Sequence, residues 1–147
     1  MLLGTYSVTF SPKHRVAVPS QFRKYLGEKF ILAKWYEECL VLVSHDFWKA
    51  LWQRLTGGEE IIVSQIRDTE RFILASAYEM ELDGQGRIVI PEKLVLYAGL
   101  GAGVSFLGVG DRVEIWDGAK WDAREKLLIT EAPKLINALA DERRKVS

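Results

Sequence analysis

"FSPKHRVAVPSQF" (Phe10 to Phe22) and "LDGQGRIVIPEKL" (Leu82 to Leu94) are one phrase written twice. A shift of 72 positions carries Arg15 onto Arg87 and Pro19 onto Pro91; beyond the phrase it carries Tyr6 onto Tyr78, Tyr25 onto Tyr97 and Gly27 onto Gly99. Self-similarity of this reach marks two related structural units in one chain. In each, an apolar run ("RVAVP", "RIVIP") ends in proline and leads into a short segment closed by glycine ("SQFRKYLG", "EKLVLYAG"). Proline suits the first turn of a helix because its missing N–H would have had no partner there, and glycine suits the position just past the end. Phe22 and Leu26 in one copy, Leu94 and Ala98 in the other, then share a helix face.

Working outward, each short helix is followed by two strand-like runs, "KFILAKWYEECLVLV" and "GVSFLGVGDRVEIW". β-Branched and aromatic residues around a turn read as a hairpin, and "GVGD" supplies turn chemistry in the second. One residue of slippage aligns Trp48 with Trp121, so each copy reads strand, turn, strand, short helix, hairpin, longer helix. Asp46 or Ser44 is placed to cap a helix holding Phe47, Trp48, Leu51, Trp52 and Leu55, which "TGG" at 56–58 ends. Glu59 to Ala77 reads as a connecting helix with Ile62, Ile66, Ile73 and Ala77 buried, and "KLINALADERRKVS" past Pro133 as a terminal helix with a basic end. The expected organisation is a first repeat at 1–55, a helical connector at 56–77, a second repeat at 78–128 and a C-terminal helix or tail at 129–147.

A length of 147 residues with 48% hydrophobic content suits about one globular domain with a real core. No long uncharged apolar run and no signal-peptide pattern is present, so the chain reads as soluble and cytoplasmic, with no membrane partner. The single cysteine, Cys39 in "ECLVLV", reads as a core thiol. With only His14 and His45 beside it there is no Cys/His set for zinc, and neither metal nor cofactor is expected. Twenty basic and twenty acidic residues cancel, so bulk charge gives no support for a nucleic-acid partner. Local charge differs: Ser11 to Tyr25 carries Lys13, Arg15, Arg23 and Lys24 with no acid, whereas Asp83 to Tyr97 balances Arg87 and Lys93 against Asp83 and Glu92.

"DGQGR" is first of all a hairpin turn, since glycine reaches positive φ cheaply and Asp83 can bond backbone two residues on. An arginine directly after the turn projects from the rim of a sheet, and the position recurs at Arg15. Two such units can pair about a pseudo-twofold axis and bring the turns together. A guanidinium offers fixed donors matching phosphate oxygens or the guanine edge, and Lys13, His14 and Gln85 would add donors. By composition alone the two arginines are either a binding feature or solvated turn charges. Catalysis finds little support: "DGQG" lacks any accompanying phosphate-cradling loop, "GLGAGVSFLGVG" lacks a preceding βαβ unit, and neither histidine has a spaced nucleophilic partner. No small-molecule substrate is expected. Trp48 and Trp52, four apart, read as core rather than as a base-stacking platform.

The opening "MLLGTYSVTF", the pair "SPKHRVAVP" and "DGQGRIVIP", the following "FRKYLG" and "YAGL", and "LGVGDRVEIWD" together resemble the MraZ family of bacterial transcriptional regulators. The resemblance implies an α+β fold: a swapped-hairpin β-barrel built from two AbrB-like repeats within one chain, with helices packed outside. It implies a ring-like homo-oligomer, nucleoid-associated, that binds short direct repeats in double-stranded promoter DNA and represses the division and cell-wall gene cluster, including its own gene. The family signature D-x-x-x-R is intact as Asp83 and Arg87; the first copy has Ser11 with Arg15. Lys13, His14, Arg15, Gln85 and Arg87 are therefore the DNA-binding candidates, with Ser11, Asp83 and Gly86 orienting the turns. An AbrB-like antitoxin, or an oligomeric scaffold without a DNA role, are the competing readings.

Overall fold

The computed structural model describes residues 1–57 and 64–146. The chain runs β1 (Leu2–Thr9), β2 (Arg15–Ala17), α1 (Ser20–Leu26), β3 (Lys29–Lys34), a 3₁₀ turn (Tyr36–Glu38), β4 (Leu40–Ser44) and α2 (His45–Thr56). It continues as α3 (Ser64–Ile73), a 3₁₀ turn (Leu74–Ser76), β5 (Tyr78–Glu81), β6 (Arg87–Val89), α4 (Glu92–Ala98), β7 (Gly103–Gly110), β8 (Val113–Asp117) and α5 (Gly118–Val146). The element order of each copy is the one its sequence announces, in an α+β fold whose strand pairs are all antiparallel.

Pairing crosses between the copies. Six strands form one sheet in the order β1-β7-β8-β4-β3-β5, and β2 pairs with β6 as a separate two-stranded ribbon. The first strand of each copy therefore lies against a hairpin of the other: β1 along all of β7, from Leu2↔Gly110 to Thr9↔Gly103, and β5 along β3. Among the described residues no closed barrel forms, because the sheet ends at β1 and β5 and the three-residue ribbon strands do not bridge that gap as ladder partners. The ribbon caps one face of the sheet instead.

Alternation along β3 and β4 explains why these strands read as unbroken apolar runs: both faces are covered. Phe30, Leu32, Leu40 and Leu42 face the ribbon side with Val16, Ile88, Phe22, Leu94 and Phe106. Ile31, Ala33, Val41 and Val43 face the opposite side, where α2, Ile73 and the start of α5 cover them with Trp35, Leu51 and Trp116. Tyr6 meets Phe22 edge-on at 5.2 Å between ring centroids, tying β1 to α1. No helix among the described residues is long and apolar enough to cross a membrane.

Local chemistry sets most boundaries. Pro19 and Pro91 sit at the N-cap positions of α1 and α4, one residue earlier than the first-turn placement expected. Ser44 rather than Asp46 caps α2, its Oγ accepting the Phe47 N–H at 3.1 Å. Gly57 ends α2 in the left-handed conformation. Of the connector residues expected to be buried, Ile73 is fully so, Ile66 and Ala77 are half-buried, and Ile62 lies outside the described residues, as do Gly58 and residues 59–63. The segment past Pro133 is no separate helix: α5 is continuous through it. Proline removes the bond to the Ile129 carbonyl and crowds it, on a stretch of the helix where Ile129 is 71% exposed and, among the described residues, nothing packs to hold a kink.

Candidate nucleic-acid interface

The loops before β2 and β6 fold into one turn built twice. In the first, Ser11 N–H donates to the Arg15 carbonyl at 3.0 Å and His14 N–H to the Ser11 carbonyl at 3.0 Å. In the second, Asp83 N–H donates to Arg87 at 2.9 Å and Gly86 N–H to Asp83 at 3.0 Å. The side chain opening each turn accepts the N–H of its arginine, Ser11 Oγ from Arg15 at 3.2 Å and Asp83 Oδ1 from Arg87 at 2.9 Å. Ser11 and Asp83 each open one of the turns, and Gly86 directly precedes the arginine of the second.

The shared geometry requires a left-handed residue just before each arginine. Gly86 fills it at φ 76°, and His14 fills it at φ 58°. An ordinary side chain pays about 1–2 kcal/mol in that region. Parallel stacking of the His14 ring on Phe10, at 5.6 Å and 11°, offsets part of this. The two carbonyls of these residues accept N–H groups from the opposite copy, Ile90 to His14 at 2.8 Å and Val18 to Gly86 at 3.0 Å. Each turn is therefore anchored by the other copy's strand, about a pseudo-twofold axis.

That axis passes through the ribbon, where Arg15 faces Val89, Val16 faces Ile88 and Ala17 faces Arg87. Val16 and Ile88 are buried, so the alternate residues Arg15, Ala17, Arg87 and Val89 share the outward face. Strand rise and spacing put the Cα atoms of Arg15 and Arg87 about 8 Å apart, diagonally across the ribbon. The arginines share a face, while the turns occupy opposite ends of the ribbon rather than adjoining. Lys13 and Gln85 occupy equivalent exposed positions on the two turns.

Electrostatically the halves differ. Asp83 accepts from Gln85 N–H at 2.8 Å and from Arg87 Nε at 3.0 Å besides the Arg87 backbone. These contacts, the Arg87 backbone N–H foremost, hold its carboxyl below the usual carboxylate range. Arg87 is thereby oriented and its charge locally balanced. Arg15 and Lys13 have no carboxylate within ion-pair distance among the described residues.

Arg23 is the residue that sequence reasoning counted in the basic run without placing. From α1 of the first copy its guanidinium reaches the second turn and lies against Gly86, while Nε donates to the Val18 carbonyl of its own copy at 2.8 Å. The available signal was its counterpart, the buried Val95: a cation replaces an apolar residue in otherwise matching helices.

The tryptophans stand apart from this face. Trp35 and Trp116 are buried in the core on the far side of the sheet, with Trp48, Trp52 and Trp121 packed against it. Cys39 lies in the same core, its thiol donating to the Tyr36 carbonyl at 3.3 Å and pushed far up in pKa by burial.

The sequence profile of the family described as "MraZ protein, putative antitoxin-like" matches residues 1–61 and 73–143. The chain belongs to the MraZ family. A protein named transcriptional regulator MraZ from Acetivibrio thermocellus is 43% identical over 123 residues, covering 84% of this chain and 85% of that protein. Its namesake from Leuconostoc citreum is 41% identical over 123 residues, with the same coverage of 84% and 85%. The one from Leuconostoc mesenteroides is 40% identical over 141 residues, covering 96% of this chain and 98% of its own. The similarity to MraZ proteins thus extends over both copies of the turn and most of α5.

Proposed function

We propose that this MraZ-family chain is a sequence-specific, DNA-binding transcriptional regulator that reads direct repeats in promoter DNA and represses the division and cell-wall cluster containing its own gene. The observation that carries the reading is the ribbon: Arg15 and Arg87 share its outward face, each launched by the same turn. Lys13, Arg15 and Arg87 contact DNA, His14 and Gln85 lie alongside, and Asp83 orients Arg87 rather than facing phosphate. On this reading the strand exchange is a single-chain version of the swapped-hairpin arrangement, with repeats at 1–55 and 78–128.

One protomer offers few contacts. At a slope of roughly 0.9 in log K per log salt for each phosphate neutralised, two to four contacts give weak, salt-sensitive binding. Several protomers on matching DNA repeats raise avidity by about 10²–10⁴-fold, so the regulator works as a homo-oligomer. Leu135, Ile136 and Leu139, which are 48%, 65% and 65% exposed on the second half of α5, supply apolar surface that assembly would cover.

The test is a salt-titrated binding assay with duplex DNA from upstream of its own gene, using wild type, Arg15→Ala and Arg87→Ala at matched oligomeric mass. Both variants weaken binding and flatten the salt slope, Arg15→Ala at least as much as Arg87→Ala because its charge is unopposed. Wild-type affinity and slope in both would remove the proposed surface.

A further inference from the structure

The second turn carries a cation it does not need for folding into a turn, and that cation comes from the other copy. We infer that Arg23 is a fourth DNA-contacting residue, gripping a backbone phosphate of its own beside Gly86; the inference rests on the DNA-binding reading above. Two observations support it. The Nε bond to the Val18 carbonyl at 2.8 Å fixes the plane of the guanidinium, and Nε is one of only five N–H donors. The four donors on Nη1 and Nη2 have no protein acceptor among the described residues. A planar fork held at one edge with its other edge free suits a phosphodiester, whose paired oxygens accept two parallel bonds.

Charge explains why the second turn is the one so equipped. On the first turn Lys13 and Arg15 stand without an acid, whereas on the second Asp83 balances Arg87 and Gln85 replaces the lysine. Without Arg23 that rim would be locally neutral. The neighbouring groove also holds Lys24, Glu28 and Glu81, but Glu81 is engaged by Lys29 at 3.8 Å and, among the described residues, no carboxylate pairs with Arg23. At the pseudo-symmetric place beside His14 stands Val95, buried and apolar. Close contact with the turn is possible because position 86 is glycine: a Cβ there would overlap the Arg23 guanidinium.

The experiment compares wild type, Arg23→Ala, Arg23→Lys and Arg15→Ala by salt-titrated binding to the same upstream duplex, with thermal midpoints and oligomeric mass recorded for each. Arg23→Ala should lower the slope by about 0.9 per engaged protomer, so that between 50 and 200 mM salt it loses about 3.5-fold less affinity per protomer than wild type. Arg23→Lys keeps the charge without the fork and should keep the wild-type slope at reduced affinity. A purely structural arginine would instead make both substitutions equal in slope, and that result overturns the inference. If Arg15→Ala flattens the slope and Arg23→Ala does not, Arg23 is excluded while the DNA surface stands; if neither does, both fall. Titration with inorganic phosphate forms a separate arm: saturable binding lost in Arg23→Ala, with the DNA slope unchanged, would assign the fork to a free anion and overturn the DNA contact.

Discussion

Replacing Gly86 by alanine tests the coupling between the second turn and Arg23 without reference to DNA. Two costs arise. The residue sits at φ 76°, where a side chain costs about 1–2 kcal/mol. Part of this is returned, since alanine restricts the unfolded chain and recovers about 0.4–1 kcal/mol, leaving about 1 kcal/mol net. The new methyl also displaces the Arg23 guanidinium, which must give up its 2.8 Å bond to Val18, a further loss of about 1 kcal/mol. The total is about 2 kcal/mol, or a fall in Tm of about 4–8 °C for a chain of this size. In an Arg23→Ala background only the backbone cost remains, so the double-mutant cycle should return about 1 kcal/mol of coupling. Urea and thermal unfolding of the four proteins at one fixed concentration measure it. Equal costs of Gly86→Ala in both backgrounds would refute the packing of Arg23 on the turn, and no cost in either would refute the left-handed geometry as well.

Two other perturbations probe the frame and the turn. Gly108 pairs with Gly4, and a Cβ on it would come within 2.5 Å of the Leu3 nitrogen and 2.7 Å of the Leu2 carbonyl carbon. Gly108→Ala should therefore lose about 2–3 kcal/mol and speed hydrogen exchange along β1, while Gly103→Ala, with open space at its Cβ, should do neither. Asp83 titrates below its ordinary value, so its contribution to folding is complete above that value, about 3.9, and is lost as pH falls through the depressed folded-state value. The stability gap between wild type and Asp83→Asn should accordingly stay level down to about pH 4 and close below it; a gap unchanged to pH 2 would contradict the turn bonds.

Much of the fold was legible because the repeat states its punctuation twice: proline before each short helix, glycine after it, an arginine after each turn. What the repeat did not state is which strand meets which. Pairing across copies depends on burial at both faces of β3 and β4, a tertiary choice with no local mark, and among the described residues a six-stranded sheet capped by a ribbon is seen, with no closed barrel. "PKH" hid its left-handed residue because histidine, unlike Gly86, announces nothing; its strain is offset by Phe10 and Ile90, partners identified only in space. The approach of Arg23 to Gly86 was not legible, since a helix residue reaching a turn 63 positions later leaves only a mismatch with Val95 as its trace.

The exchange of strands also sets a clock. Leu2 through Thr9 find their partners only in Gly103 through Gly110, about a hundred residues later. At roughly 5–20 residues per second on a ribosome, the first strand made waits about 5–20 s for the strand that completes it. Closing so long a loop adds little to the free-energy cost, because that cost grows only logarithmically with length. The penalty falls on time: until β7 emerges, β1 has an open edge and β3 awaits β5, and a nascent half-chain presents to its neighbours the same edges it will later offer to itself.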